Sequence, residues 1–196
     1  MLPQQIVWIA IFLELLGSFW YIKEIIYGDT RPNLVSWSLW LLGPFLGFFF
    51  QIKAGATASA WPIFMAGFGP LLVVIVALIL KKSYWKLRIF DIVCGMFSVF
   101  ALMLYILTHN LAASIVFAIL SDFLAFVPTY LKGWRFPETE SIFASVCYAV
   151  ANVFGLLIIE QWTFTIYSFG LYLILANVAM ILILYRKKLA ILGFKT

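Results

Sequence analysis

Apolar residues run in long stretches broken by short polar interruptions. The stretches cover roughly residues 5–26, 34–52, 58–80, 88–107, 111–132, 139–160 and 163–185. Each is long enough to cross about 30 Å of hydrocarbon as an α-helix. Helix is required, because lipid offers no partner to an open backbone. The pattern therefore predicts an all-α membrane fold with seven transmembrane helices. The connections are short; Thr108-His109-Asn110 is almost the whole of one of them. No stretch reads as a linker, a low-complexity tract or a soluble domain.

Composition agrees with the pattern. Hydrophobic residues make up 65% of the 196 positions and charged residues 11%. A soluble domain carries about 25% charged residues, so this chain lacks the polar sequence to build a wet shell. The start, Met1-Leu2-Pro3-Gln4-Gln5, has neither a positive segment nor a small-residue cleavage site. The first stretch is therefore expected to stay in the mature protein. Cys94 and Cys147 fall inside apolar stretches and read as small buried hydrophobes, with no disulfide and no metal site.

The net charge of +5 comes from basic residues at helix ends, which points to a membrane rather than to nucleic acid. Lys23, Arg31, Lys81, Lys82, Lys86, Arg88, Lys132, Arg135, Arg186, Lys187, Lys188 and Lys195 all fall on one side if the N-terminus is outside. Of the 13 basic residues, Lys53 alone falls on the other. The positive-inside rule then predicts a multi-pass protein of the cell (inner) membrane, N-terminus outside and C-terminus cytoplasmic. Trp8, Trp61 and Trp162 should mark the outer boundary, and Trp37, Trp85 and Trp134 the inner one.

The chain also aligns with itself. Tyr21-Ile22-Lys23 closes the first stretch and Tyr130-Leu131-Lys132 the fifth. A proline follows each, Pro32 and Pro137, and then a serine, Ser36 and Ser141. The third and seventh stretches both run into Lys-Lys, at Lys81-Lys82 and Lys187-Lys188. The repeat unit is then three helices, with the fourth left over as a linker. Three is odd, so one extra crossing restores the direction of the second copy. The expected layout is a first repeat over about 1–86, a linker helix over about 87–110 and a second, parallel repeat over about 111–196. Such repeats relate by an axis along the membrane normal, and transporters with this symmetry bind substrate between repeats near the midplane.

This 3-1-3 layout resembles the PQ-loop superfamily, which includes the SWEET sugar transporters, cystinosin-like exporters and KDEL receptors. The residues that carry the resemblance are Thr30-Arg31-Pro32-Asn33-Leu34-Val35-Ser36-Trp37, like the segment after a PQ motif, and Pro128-Thr129-Tyr130-Leu131-Lys132, like the motif itself with Thr129 in place of Gln. Phe19-Trp20 stands where the first Pro-Gln would sit, which resembles a divergent bacterial branch. The resemblance implies a seven-helix transporter. It implies hinges at some of the helix prolines, matched by Pro44 and Pro128, and a substrate contact at Asn177 on the seventh helix. The matching place on the third helix holds Gly69-Pro70 instead.

Glu14 lies at the centre of the first stretch and Asp122 at the centre of the fifth. A carboxylate at bilayer depth costs about 3 kcal/mol on insertion scales, so two of them need a reason. Glu14 shares a helical stripe with Ala10 and Gly17, and Asp122 with Ala118, Ala125 and Thr129; small residues mark helix contacts rather than lipid. One reading is a pair that binds substrate or couples a proton. The other is two neutral acids that merely bond neighbouring helices. Asn152 shares a stripe with Ser145, Tyr148, Ala149 and Gly155, and either lines a cavity or bonds helix to helix. Trp40, on the stripe Ser36, Gly43, Gly47, Gln51, either stacks on a substrate or packs.

Pro44, Pro62, Pro70 and Pro128 each free a carbonyl and permit a kink, as does the Gly69-Pro70 pair. Asp91 reads as an ion-pair partner of Lys86 or Arg88, and His109 as a loop residue without metal partners. A retinal Schiff base needs a lysine inside the seventh stretch, which has none. No Ser-His-Asp set, HExxH, P-loop or cysteine cluster points to an enzyme or a cofactor. The sequence thus predicts a secondary transporter or facilitator of a small polar solute such as a sugar or amino acid, proton-coupled or not, as a monomer or homo-oligomer. A non-transporting receptor on the same fold is the alternative.

Overall fold

The computed structural model describes residues 3–30, 32, 34–81 and 89–193. Met1, Leu2, Arg31, Asn33, Lys82, Trp85, Lys86, Arg88 and Lys195 lie outside the described residues, as do the side chains of Cys94, Lys187 and Lys188. The ion pair expected of Asp91 with Lys86 or Arg88 lies outside them too. Asp91 itself is buried.

Eight α-helices run through the described residues, in the order α1 (Val7–Tyr27), α2 (Leu34–Leu39), α3 (Leu42–Lys53), α4 (Trp61–Leu80), α5 (Ile89–Thr108), α6 (Leu111–Arg135), α7 (Ile142–Leu157) and α8 (Phe164–Gly193). Polar residues in the short connections set several of the ends. Gly28 takes the left-handed conformation (φ 87°) that closes α1, and its N–H donates to the Glu24 and Ile25 carbonyls. Asn110 Oδ1 accepts from the Ala113 N–H at 3.0 Å and starts α6. Ser141 Oγ does the same for α7, accepting from Ala144 N–H at 3.3 Å.

The expected second span is two helices. The break falls at Trp40-Leu41, between α2 and α3. Pro44 explains it: its ring displaces the carbonyl four residues earlier, which belongs to Trp40, and it has no N–H to give. The Leu41 N–H bonds instead to the Ser38 carbonyl at 3.4 Å, a tighter turn. Pro70 and Pro128 lie inside α4 and α6, which continue through them. Pro62 does not interrupt a helix, as the sequence had suggested; it sits in the first turn of α4, where a missing N–H costs nothing.

Among the described residues, six helical segments are long and apolar enough to cross a membrane: Gln4–Tyr27, Leu34–Lys53, Ala58–Leu80, Asp91–Thr108, Leu111–Arg135 and Phe164–Arg186. The expected sixth span is shorter than its apolar stretch. Residues Pro137–Thr139 form a separate 3-10 turn, and α7 holds 16 residues, about 24 Å of rise.

α1 and α3 both pack on α4, and α6 and α7 both pack on α8. The two triplets meet along α1–α7 and α3–α6. α5 lies against α6 and α3 at the periphery, with 18% of its apolar stretch buried. Polarity is inverted relative to a soluble protein. Trp8, Phe12, Ile79, Leu107 and Leu182 point outward, while Glu14, Ser18, Gln51, Ser114, Ser121, Asp122 and Asn152 are buried. Lipid, not water, suits such a surface. Trp8, Trp61, Trp134 and Trp162 are exposed, as belt residues would be. Trp37 differs from them: it is 4% exposed and packs between Tyr21 and Trp40, so it faces the protein and not lipid.

Candidate functional site

The small-residue stripes all turn inward. Ala10, Glu14 and Gly17 are buried on α1, as are Ala118, Asp122, Ala125 and Thr129 on α6. Ser36, Trp40, Gly43, Gly47 and Gln51 are buried along α2 and α3. Small side chains let backbones approach, so the polar residue on each stripe is carried to a helix seam.

A cavity of about 70 Å³ opens where the triplets meet, room for several waters. Glu14, Asp122, Asn152, Asn177, Trp40, Pro44 and Pro70 line it together, so α1, α3, α4, α6, α7 and α8 and the α2–α3 break all contribute. Gly69 and Pro128 do not line it. A Cβ on Gly69 would collide with Ser18 Oγ, so that glycine allows α1 and α4 to close up.

The two acids have different partners. Glu14, 1% exposed, accepts a hydrogen bond from Asn152 Nδ2 at 3.0 Å across the α1–α7 seam. The same nitrogen donates to the Tyr148 carbonyl at 2.9 Å. Ser18 Oγ donates to the Glu14 carbonyl at 2.8 Å and shares a 3.2 Å hydrogen bond with the Tyr148 hydroxyl. Asp122, also 1% exposed, accepts from the Tyr172 hydroxyl at 2.8 Å through Oδ2. Its Oδ1 has no hydrogen-bond partner among the described residues. The carboxyl lies against the bare backbone of Gly43, where a Cβ would come within 2.6 Å of the Asp122 Cβ. Asn177 donates back to its own helix, to the Leu173 carbonyl at 2.9 Å. Trp40 stands between Trp37 and Phe126, with ring centroids 5.0 and 4.6 Å away, and its buried indole N–H has no hydrogen-bond partner among the described residues.

The cavity extends from these acids toward the end of the bundle where α1 and α6 finish. There Glu140, on the α6–α7 connection, pairs with Lys132 Nζ at 2.8 Å and accepts from the Tyr21 hydroxyl at 3.2 Å. Ser141 Oγ donates to Glu24 Oε1 at 3.1 Å. These contacts tie α1 to α6 and α7. Burial pushes the Glu140 carboxyl above the ordinary glutamate range, with the Lys132 charge and the Tyr21 hydroxyl pulling the other way. At the opposite end the chain is closed by packing: Phe169 fills the notch at Gly47, and Pro62 the one at Gly155. A second cavity of about 10 Å³ lies there beside Gln51, whose amide atoms have no hydrogen-bond partner among the described residues.

Sequence reasoning placed Tyr148 on the Asn152 stripe but missed Tyr172, Ser18 and the Glu140–Lys132 pair. Aromatic residues are 19% of the chain, so no single tyrosine stands out. Glu140 and Lys132 sit at a helix boundary, where charge reads as solvated.

The class these features define is a multi-pass α-helical membrane protein with a cavity inside its helix bundle, walled by aromatic side chains and buried carboxyls. No protein-family model, curated protein or solved structure matches the chain.

Proposed function

We propose that this protein is a secondary transporter or facilitator of a small polar solute, working by alternating access at the cavity between the helix triplets. The observation that carries the reading is the cavity itself, because both intramembrane acids line it and it lies between two bodies that could rock. The triplets pair in the same way: α4 lies between α1 and α3 as α8 lies between α7 and α6. That correspondence supports two parallel three-helix repeats joined by α5, the 3-1-3 layout, with α7 as the seventh crossing. The break before Pro44 supplies a hinge beside the cavity. The basic residues support an N-terminus outside and a C-terminus in the cytoplasm of an inner membrane.

The test is an uptake panel of polar solutes in proteoliposomes, with and without a pH gradient. Proton coupling through the acids requires that Asp122→Asn abolish pH-driven accumulation, because the amide keeps the shape but cannot ionise. Binding without flux would leave a receptor on this fold. Topology is checked separately. A cysteine at His109 should react with an impermeant thiol reagent from outside and one at Asp29 should not; the reverse pattern inverts the layout.

A further inference from the structure

The cavity's chemistry is one-sided. Glu14, Asp122 and Glu140 line it, and among the described residues no lysine, arginine or histidine does. Lys132 neutralises Glu140 from behind, through a 2.8 Å pair. That leaves Glu14 and Asp122 facing the open space with no counter-charge. Among the described residues, the buried polar atoms of the lining side chains without a hydrogen-bond partner are two acceptors, Asp122 Oδ1 and Asn152 Oδ1, and one donor, Trp40 Nε1. The lining is therefore richer in acceptors than in donors. Sugars carry hydroxyls, each with one donor and two acceptor lone pairs, and an anion would meet two carboxyls. An ammonium group supplies three donors and no acceptor, together with the missing positive charge.

The remaining wall is aromatic. Trp37, Trp40 and Phe126 stand in a row with centroids 5.0 and 4.6 Å apart, and all three line the cavity. Ring faces attract a cation, more strongly where water is excluded. We propose that this cavity binds a small organic cation of the ammonium class, its charge held by Asp122 and Glu14 and its alkyl part against Trp37, Trp40 and Phe126. The single unpartnered donor, the Trp40 indole, suits one hydroxyl on the same ligand. At about 70 Å³ the cavity takes a molecule of only a few heavy atoms. This names the solute class for the transport reading and rests on the same site.

The experiment is radiolabelled ethanolamine binding to the purified full-length protein in detergent near neutral pH, where the amine is charged. Unlabelled ethanolamine and ethylene glycol compete; the two have the same shape and differ in charge. Saturable ethanolamine binding is expected, with ethylene glycol at least about tenfold weaker, a difference of about 1.4 kcal/mol. Asp122→Asn should weaken ethanolamine by about tenfold or more, and Trp40→Leu by several-fold, in proteins whose melting temperatures show them folded. Equal competition by the glycol, no ethanolamine binding, or unchanged affinity in folded Asp122→Asn would each overturn the proposal. If Asp122→Asn does not fold, the glycol comparison decides alone. Ethanolamine binding with no flux in proteoliposomes would uphold the cation site and overturn transport.

Discussion

The two ends of the cavity are shut by different physics. At the end where α3 finishes and α8 starts, closure is dry. Phe169, fully buried, sits in the notch left by Gly47, and Phe50, Ile63 and Ile115 pack around it. At the basic end closure is polar: Tyr21, Glu140, Lys132, Ser141 and Glu24 hold α1 to the α6–α7 connection. Apolar packing is lost outright when its faces separate. Hydrogen bonds and an ion pair near the membrane boundary can be exchanged for water at small net cost. On the transport reading proposed above, the basic end would open with less work than the packed end.

The largest expected effect tests the packed end. Phe169→Ala should cost about 3–5 kcal/mol, read as a large drop in melting temperature in detergent. Gly47→Ala forces a Cβ to within 2.6 Å of the Phe169 ring and should cost about 1–3 kcal/mol by overpacking. A wild-type melting temperature for either variant would mean that this end is loose, and the comparison would collapse.

Next in size is the link between the packed end and the acid. Tyr172 rests on Phe169, ring centroids 5.7 Å apart, and donates to Asp122. Tyr172→Phe removes the donor to Asp122 Oδ2 and should cost about 1–3 kcal/mol, the penalty for an unsatisfied buried group. Uptake should fall with it. Unchanged uptake would show that the orientation of Asp122 does not matter.

The smallest effect on stability, and the sharpest on access, belongs to the polar end. Glu140→Gln keeps one acceptor oxygen, for Lys132, and turns an amide donor to the Tyr21 hydroxyl, which can accept it, so stability should move by about 1 kcal/mol. A cysteine at Ser145, which lines the cavity, reports access in a chain whose Cys94 and Cys147 are serine. Its reactivity should rise in the Glu140→Gln variant. Acid should do the same to the parent, because burial sets the Glu140 carboxyl above the ordinary glutamate range. As pH falls through that raised range the carboxyl takes a proton, and the charge that faces Lys132 disappears. Every thiol loses thiolate in acid, so reactivity is read against the glutamine variant, which should show that loss alone. A parent whose Ser145 cysteine follows the glutamine variant at all pH values would remove Glu140 as the latch.

Sequence by itself determined the membrane class, the number and approximate bounds of the apolar stretches, the inward faces of the stripes and two of the three carboxyls that line the cavity, Glu14 and Asp122. It could do so because lipid imposes a local rule. A helix must be apolar where it meets hydrocarbon, so polar and small residues report the protein side of each helix without knowledge of its neighbours. Tertiary structure alone decided which stripes meet and what each polar group finds there. Asn152 reaches Glu14 from 138 positions away, and Tyr172 reaches Asp122 from 50. Trp37 reads as a boundary residue and lies in the core. Pro44, one proline among four with the same local chemistry, is the one that breaks its helix. These outcomes depend on how helices distant in sequence pack side by side, and periodicity within one helix carries no record of its neighbour.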